Sequence, residues 1–223
     1  MCFLADKRNR ICGIKIGYTV MNNQLKYIEY IKEFAYKNKV HIWLGGSFLR
    51  GNATPFSDVD ISIYCNADLL DKFIYGYGKP VYISYTTNPR GILIVIYEDG
   101  VAVDLEVIKS IKVSDDECFH AEDIKKLNYE RDEIICEKFA LRNDTPYQLS
   151  RLFHRSMIKY LAGKKEAGLS VANEIAAYMG IEETIDEGAY NSQMNQLLKS
   201  FNDRYKLPEE YLKVLYTLTD AFE

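Results

Sequence analysis

The sequence predicts an α+β fold in which a short mixed β-sheet with flanking helices is followed by a bundle of helices. Two observations indicate this class. Apolar runs of strand length, separated by turn residues, occupy residues 40–107. After about residue 120, the apolar residues recur instead at the spacing of an α-helix. Strands that precede helices in this way are typical of an α+β head with a helical extension.

The elements of the head follow from local patterns. A helix is expected after the Asn22–Asn23 pair, where apolar residues take up helical spacing. A second helix is predicted over Ala67–Tyr75, and the Glu98–Gly100 turn is expected to join two strands as a hairpin. The predicted strands are Val40–Leu44, Val59–Cys65, Val81–Tyr85, Ile92–Tyr97 and Val101–Val107.

The C-terminal part of the chain contains four apolar stripes at helical spacing. The first follows Asp144-Thr145-Pro146, a typical helix start. The stripes run over Leu149–Leu161, Leu169–Met179, Met194–Phe201 and Tyr211–Phe222. We therefore expect an N-terminal arm over residues 1–23, a catalytic domain over 24–143 and a helical domain over 144–223.

Charge and hydropathy restrict the partners. The chain has 223 residues and a net charge of −4, and residues 111–223 alone carry a balance of −6. A nucleic-acid binder needs a basic surface to neutralise phosphates, so this bias argues against nucleic acid and favours a cationic partner. The basic cluster Lys7–Arg10 follows the apolar Met1–Ala5, the reverse of a secretory signal, and no membrane partner is expected. These features indicate a cytoplasmic protein.

A glycine motif follows the first predicted strand. Gly45 and Gly46 allow the backbone to turn sharply and to approach a ligand closely. A short helix that opens at Ser47 would offer free N–H groups and a hydroxyl to an anion, and Arg50 would add a positive charge. The motif therefore predicts a phosphate site. The glycine patterns of P-loop and Rossmann proteins do not occur in this sequence.

Acidic residues of two predicted strands have the same orientation. Asp58 and Asp60 are two residues apart, so they are expected on one face of their strand. Asp104 lies on another strand with the same alternation, and Glu106 shares its face. Neighbouring carboxylates repel each other unless a cation lies between them, and Mg²⁺ prefers such hard oxygen ligands. The pattern predicts a magnesium site if the two strands are adjacent.

The order of these motifs resembles the polymerase β-like nucleotidyltransferase superfamily. The shared pattern is G-G-S, ten residues, D-x-D and a later Asp inside an apolar strand. GGSFLRG and SDVD look most like the small antibiotic-modifying enzymes, such as aminoglycoside and lincosamide nucleotidyltransferases. The resemblance implies a polymerase β-like head with a helical acceptor-binding domain. It covers roughly residues 24–108 by motif.

The resemblance also implies roles for individual residues. Gly45, Gly46, Ser47 and Arg50 would bind the nucleoside triphosphate, the donor substrate. Asp58, Asp60 and Asp104 would ligate two Mg²⁺ ions. Asp104 is one candidate for the proton acceptor, and Glu106 and Glu174 are further candidates for the general base. The expected reaction moves a nucleoside monophosphate, most plausibly AMP from ATP, onto a hydroxyl of a small molecule.

Other interpretations remain open at this stage. In some antibiotic-modifying relatives a homodimer builds the acceptor cleft, and this chain is a candidate for the same arrangement. The same head could adenylylate a protein partner, as in toxin-neutralising members of the superfamily, or extend an RNA end, which would need a basic track. A catalytically silent nucleotide-binding module is the third hypothesis, against which the presence of all three motif aspartates counts.

Overall fold

The computed structural model describes residues 7–86, 91–113, 117–132 and 138–222. Residues 22–143 form one compact unit. The residues from Asp144 onwards belong to a second unit, together with the described residues that precede Asn22. Residues 1–6 of the predicted N-terminal arm lie outside the described residues. Within the described ranges, no helix combines the length and hydropathy that crossing a bilayer requires.

The first unit is built around a mixed β-sheet. In chain order its strands are β1 (His41–Leu44), β2 (Val59–Tyr64), β3 (Pro80–Thr86), β4 (Ile92–Tyr97), β5 (Ala102–Ile111), β6 (Phe119–His120) and β7 (Tyr129–Arg131). Across the sheet they are arranged as β3-β4-β5-β2-β1-β6, and β7 pairs with β5. β2 lies parallel to β5 and antiparallel to β1, so the two strands that carry the motif aspartates are neighbours.

One face of this sheet is the hydrophobic core. Helix α1 (Lys7–Asn38) and helix α3 (Ala67–Tyr77) contribute Ile31 and Phe73, both fully buried, to the same cluster as strand residues such as Ile63. Asn66 begins α3 by accepting a hydrogen bond from the Leu69 N–H at 3.0 Å, as an N-cap residue does. Because strand side chains alternate, the opposite face carries the polar residues of β2 and β5.

The C-terminal unit consists of helices within its described part. They are α4 (Thr145–Leu161), α5 (Lys165–Tyr178), α6 (Tyr190–Tyr205) and α7 (Glu209–Asp220). Asp144 begins α4 as its N-cap, accepting the Tyr147 N–H at 3.0 Å. Its core includes Phe153 and Phe201, whose rings meet edge to face 5.2 Å apart. The periodic stripes in the sequence therefore correspond to packed helical faces.

The predicted fold class is confirmed: the chain has an α+β head with a mixed sheet and a C-terminal helical region. Two details differ from the pattern-based expectation. Helix α1 begins at Lys7, before the Asn22–Asn23 pair after which apolar spacing becomes regular. Strands β6 and β7 were not predicted, because two or three residues are too few to show an alternation.

Candidate nucleotide-binding site

A cleft of about 430 Å³ opens on the polar face of the sheet. Its lining combines three groups of residues. Gly45, Gly46 and Arg50 come from the glycine motif, and Asp60, Asp104 and Glu106 are acidic residues of β2 and β5. The basic residues Lys125, Lys126 and Arg131 follow β6 in the sequence. The helical unit contains a smaller cavity of about 100 Å³, and Glu183 is the acidic residue in its lining. The larger cleft therefore holds the groups suited to phosphate chemistry.

The glycine turn is fixed against the strand that carries the acidic residues. The Gly45 N–H donates to the carbonyl oxygen of Asp60 at 2.8 Å. Gly46 has a φ of +58°, and a Cβ at this position would lie 1.6 Å from Oδ2 of Asp60. An added Cβ at Gly45 would only reach ordinary contact, at 3.6 Å. The close approach predicted for the pair is therefore a property of Gly46.

Asp60 and Asp104 face each other across two neighbouring strands. They are paired residues in the parallel register of β2 with β5, and both side chains are half-buried in the cleft lining. Paired positions on one face of a sheet bring side chains within a few ångströms of each other. Two carboxylates so placed fit a divalent cation, because Mg²⁺ is commonly held by one or two carboxylates together with substrate phosphates.

Asp58 lies immediately before β2, whose first residue is the one the sequence predicts. β2 begins at Val59, so half-buried Asp58 lies one residue before the strand, and the cleft lining does not include it. Among the described residues, no group of three or more His, Cys, Asp or Glu side chains is placed to hold a metal ion. The structure thus pairs Asp60 with Asp104 in the cleft lining, and Asp58 lies next to this lining, two residues before Asp60.

The remaining residues of the glycine motif lie on a single helical turn. Helix α2 (Gly46–Leu49) begins at Gly46, one residue before the predicted start. Ser47 is half-buried, and its carbonyl accepts the Asn52 N–H at 3.0 Å. Arg50 is exposed and lies in the cleft lining. The arrangement places one cation beside the Gly46 turn.

Glu106 is held by three neighbouring side chains. Its Oε1 forms an ion pair with Nε of Arg131. Its Oε2 accepts hydrogen bonds from the Ser62 hydroxyl at 2.9 Å and the Tyr129 hydroxyl at 3.1 Å. Burial raises the pKa of Tyr129, and the negative charge of Glu106 raises it further. Both oxygens of Glu106 therefore already accept donors from neighbouring side chains.

Arg131 is a residue of the cleft that the sequence patterns did not reveal. Burial acts to lower the pKa of its guanidinium, but the charge of Glu106 and hydrogen bonds raise the pKa above its ordinary value. Arg131 therefore stays charged in the cleft wall. The signal that could have found it is the Y-E-R sequence of β7, in which Tyr129 and Arg131 share one face. Glu174, the other candidate base, is exposed on α5 in the helical unit.

An aromatic stack forms a further part of the cleft. Trp43 lies in the lining, and its ring is parallel to that of His120 with centroids 4.5 Å apart. Nδ1 of His41 and Nε2 of His120 are 3.1 Å apart, so one nitrogen donates to the other. Burial, followed by the proximity of His41, lowers the pKa of His120. The neutral form of the His120 ring is therefore favoured.

This combination of an α+β head, a glycine turn against a strand and paired carboxylates in one cleft defines a class of phosphate-handling transferases. Residues 26–143, more than half of the chain, match the family model described as a nucleotidyltransferase domain. The chain belongs to this family, and the resemblance to the polymerase β-like superfamily is confirmed at that level. A comparison with curated proteins found no match.

Proposed function

We propose that this protein is a Mg²⁺-dependent nucleotidyltransferase that moves AMP from ATP onto a hydroxyl of a small molecule. Aminoglycoside and lincosamide antibiotics are the first acceptors to test, because the GGSFLRG and SDVD segments resemble the enzymes that modify them. The observation that carries the proposal is the register of Asp60 against Asp104, beside the Gly46 turn. Two carboxylates and a close backbone approach are what a nucleotide–metal complex requires.

Each residue then has a role in the proposed reaction. Asp60 and Asp104 would hold Mg²⁺, with Asp58 contributing from the residue before β2. Bound Mg²⁺ would supply charge stabilisation at the phosphate oxygens and acidify the acceptor hydroxyl. Gly45, Gly46 and Ser47 would accommodate the triphosphate, and Arg50 would neutralise part of its charge. The predicted requirement for two metal ions is part of this proposal.

The bond changes are those of an in-line displacement. The acceptor oxygen forms a bond to the α-phosphorus, the bond from that phosphorus to the bridging oxygen breaks, and pyrophosphate leaves. The proton of the acceptor hydroxyl passes to a carboxylate, a transfer typically worth about 10²–10⁴-fold in rate. We assign this role to Asp104, because Glu106 already accepts three donors.

The chemistry of the cleft lining guides the choice of acceptors. Lys125 and Lys126 lie in the lining beside Glu122 and Asp123, so the described wall favours neither sign of charge. We assign acceptor binding to the helical region 144–223, where the acidic excess of the sequence favours a cation. The acceptor panel should therefore combine strongly cationic aminoglycosides with weakly charged lincosamides.

The test is incubation of the purified chain with α-labelled nucleoside triphosphates, Mg²⁺ and this acceptor panel. A labelled acceptor and released pyrophosphate are expected with ATP, and neither is expected with Asp60→Asn. Label on a co-purified protein instead of a small molecule would favour the protein-adenylylating hypothesis. Absence of transfer to any acceptor, with nucleotide still bound, would favour a silent binding module.

A further inference from the structure

The side chain of Gln24 links helix α1 to the loop that precedes β2. Gln24 is buried, with 2% of its surface exposed. Its Nε2 donates to the carbonyl oxygen of Ser57 and, at 3.4 Å, to that of Pro55. Both hydrogens of the amide group are therefore directed at one loop, which connects α2 to β2.

The loop is closed by its own short-range hydrogen bonds. The Thr54 N–H donates to Oγ of Ser57 at 2.9 Å, and the Ser57 N–H donates to the Thr54 carbonyl at 3.0 Å. The Phe56 N–H also reaches Oγ1 of Thr54 at 3.3 Å. These bonds set the shape of the turn but do not fix it to the rest of the unit. Gln24 supplies such an attachment, from a helix in the core.

The attachment acts on the peptide that leads to Asp58. The carbonyl carbon of Ser57 is bonded to the nitrogen of Asp58, and this peptide group is planar. A hydrogen bond to the Ser57 oxygen therefore restrains the plane from which the Asp58 backbone departs. Val59, the first residue of β2, follows at once. Gln24 and the strand thus restrain Asp58 from both sides.

The acceptor atom of the same amide differs from its donors in having no partner. Oε1 of Gln24 is buried and has no hydrogen-bond partner among the described residues. A buried polar atom without a partner costs free energy of folding. A methionine would fill nearly the same space in the helix without that cost. The two N–H donors are therefore the feature for which a glutamine is needed here.

We propose that Gln24 is a positioning residue for Asp58. It sets the backbone of the Pro55–Asp58 segment and thereby the position of the Asp58 carboxylate relative to Asp60, two residues further along. The inference rests on the proposed function, in which Asp58 contributes to the metal site. Gln24 itself touches neither metal nor nucleotide in this proposal.

The neighbouring residue on α1 offers a matched control. Asn23 also carries an amide, and its Nδ2 donates to a loop carbonyl, that of Asp99, at 3.0 Å. Asp99 lies in the turn between β4 and β5, outside the cleft lining. Asn23→Ala therefore removes the same kind of bond from the same helix without affecting the loop before Asp58. Gln24→Met removes the donors of Gln24 while preserving its size.

The experiment compares the wild-type chain with Gln24→Met, Gln24→Ala, Asn23→Ala and Asp58→Asn. The first readout is hydrogen exchange of the amides of residues 54 and 56–58, which needs neither metal nor acceptor. Exchange there should quicken about tenfold in both Gln24 variants, because the loop opens more often once its attachment is lost. Exchange in this loop should stay unchanged in Asn23→Ala.

The second readout is the Kd of Mn²⁺, a spectroscopic substitute for Mg²⁺, measured by electron paramagnetic resonance with a nonhydrolysable ATP analogue present. Loss of a group that orients a metal ligand typically weakens metal binding by about 10-fold or more, and we expect this for Gln24→Met. Asn23→Ala should stay within twofold of wild type. Thermal unfolding identifies any variant that fails to fold. If one Gln24 variant does not fold, the other is used to test the role of Gln24.

The outcomes separate this inference from the proposed function. Unchanged loop exchange and an unchanged Mn²⁺ Kd in the Gln24 variants, with weakened binding in Asp58→Asn, overturn the role of Gln24 and leave the proposed function intact. Unchanged Mn²⁺ binding in Asp58→Asn removes Asp58 from the metal site and so overturns both assignments. The inference is supported if the Gln24 variants show faster loop exchange and weaker Mn²⁺ binding and Asn23→Ala shows neither.

Discussion

Asp60 lies directly opposite Asp104 in the parallel pairing of β2 with β5. The two residues are 44 positions apart in the sequence, and the strand order brings them together because β5 crosses back to lie beside β2. Like charges at paired positions repel each other, and a divalent cation between them would offset that repulsion. Their joint role is the most direct point at which the proposed function can be tested.

Replacing either carboxylate by an amide should separate activity from stability. We expect Asp60→Asn and Asp104→Asn to lower nucleotidyl transfer by about 10²-fold or more, since each removes a charge that the metal requires. The free energy of unfolding should be unchanged or raised by up to about 1 kcal/mol, because a like-charge pair is relieved. Steady-state transfer assays and denaturant titrations measure the two effects. Full activity in either variant would contradict the metal-ligand assignment.

The two glycines of the turn should differ in their tolerance of a methyl group. In Gly46→Ala the new Cβ would overlap Oδ2 of Asp60 and the backbone would be strained at positive φ, so we expect a loss of about 2 kcal/mol or more and loss of nucleotide binding. Gly45→Ala should stay within about 1 kcal/mol of wild type, because its Cβ meets only ordinary contacts. Thermal unfolding and nucleotide titration compare the two. Equal effects would contradict the assignment of the close approach to Gly46.

The pairing of Glu106 with Arg131 leads to a prediction about the general base. Glu106→Gln should cost about 1–3 kcal/mol of stability, because it leaves the guanidinium of Arg131 without its counter-charge. The acidic limb of the pH–rate profile should persist in this variant, since another carboxylate accepts the proton. Arg131→Ala serves as the partner variant in a double-mutant cycle. Disappearance of the acidic limb in Glu106→Gln would restore Glu106 as the base.

His154 should make the helical unit sensitive to acid. Its side chain is 5% exposed on α4, and burial lowers its pKa to about 4. Between that value and the ordinary pKa of about 6.5, the unfolded chain binds a proton that the folded chain does not, so stability falls as pH falls through this window. The full loss amounts to about 3 kcal/mol.

The measurement for His154 is the free energy of unfolding at several pH values between 7 and 4. His154→Gln keeps a polar side chain of similar size but does not titrate, so its stability should change less over this range. The two remaining histidines, His41 and His120, lie in the other unit and are unchanged in both proteins. An identical pH dependence in the two proteins would contradict the prediction.

The sequence was sufficient for the long elements of the fold and for part of the site. β2, β4 and β5 show alternating or continuous apolar residues over six or more positions, and their bounds match the prediction within a few residues. That Asp60 and Asp104 share a cleft followed from alternation plus the assumption that their strands are neighbours. The structure supplies that adjacency.

What the sequence did not reveal depends on contacts between distant segments. Arg131 lies on a three-residue strand, and its place in the cleft results from its ion pair with Glu106, 25 positions earlier. In the sequence, Gln24 is an ordinary polar residue of a helix, and only the structure shows its hydrogen bond to the Ser57 carbonyl. Short elements and side-chain partners have no periodic signal.

The stack of Trp43 on His120 has a practical consequence for all of these measurements. Trp43 is the only tryptophan of the chain, and it forms part of the cleft wall. Indole emission depends on the polarity of its surroundings and on nearby quenchers, so a ligand that enters this cleft changes the fluorescence of a single chromophore. The protein thereby carries an intrinsic optical probe, and titrations of the wild type and its variants need no attached dye.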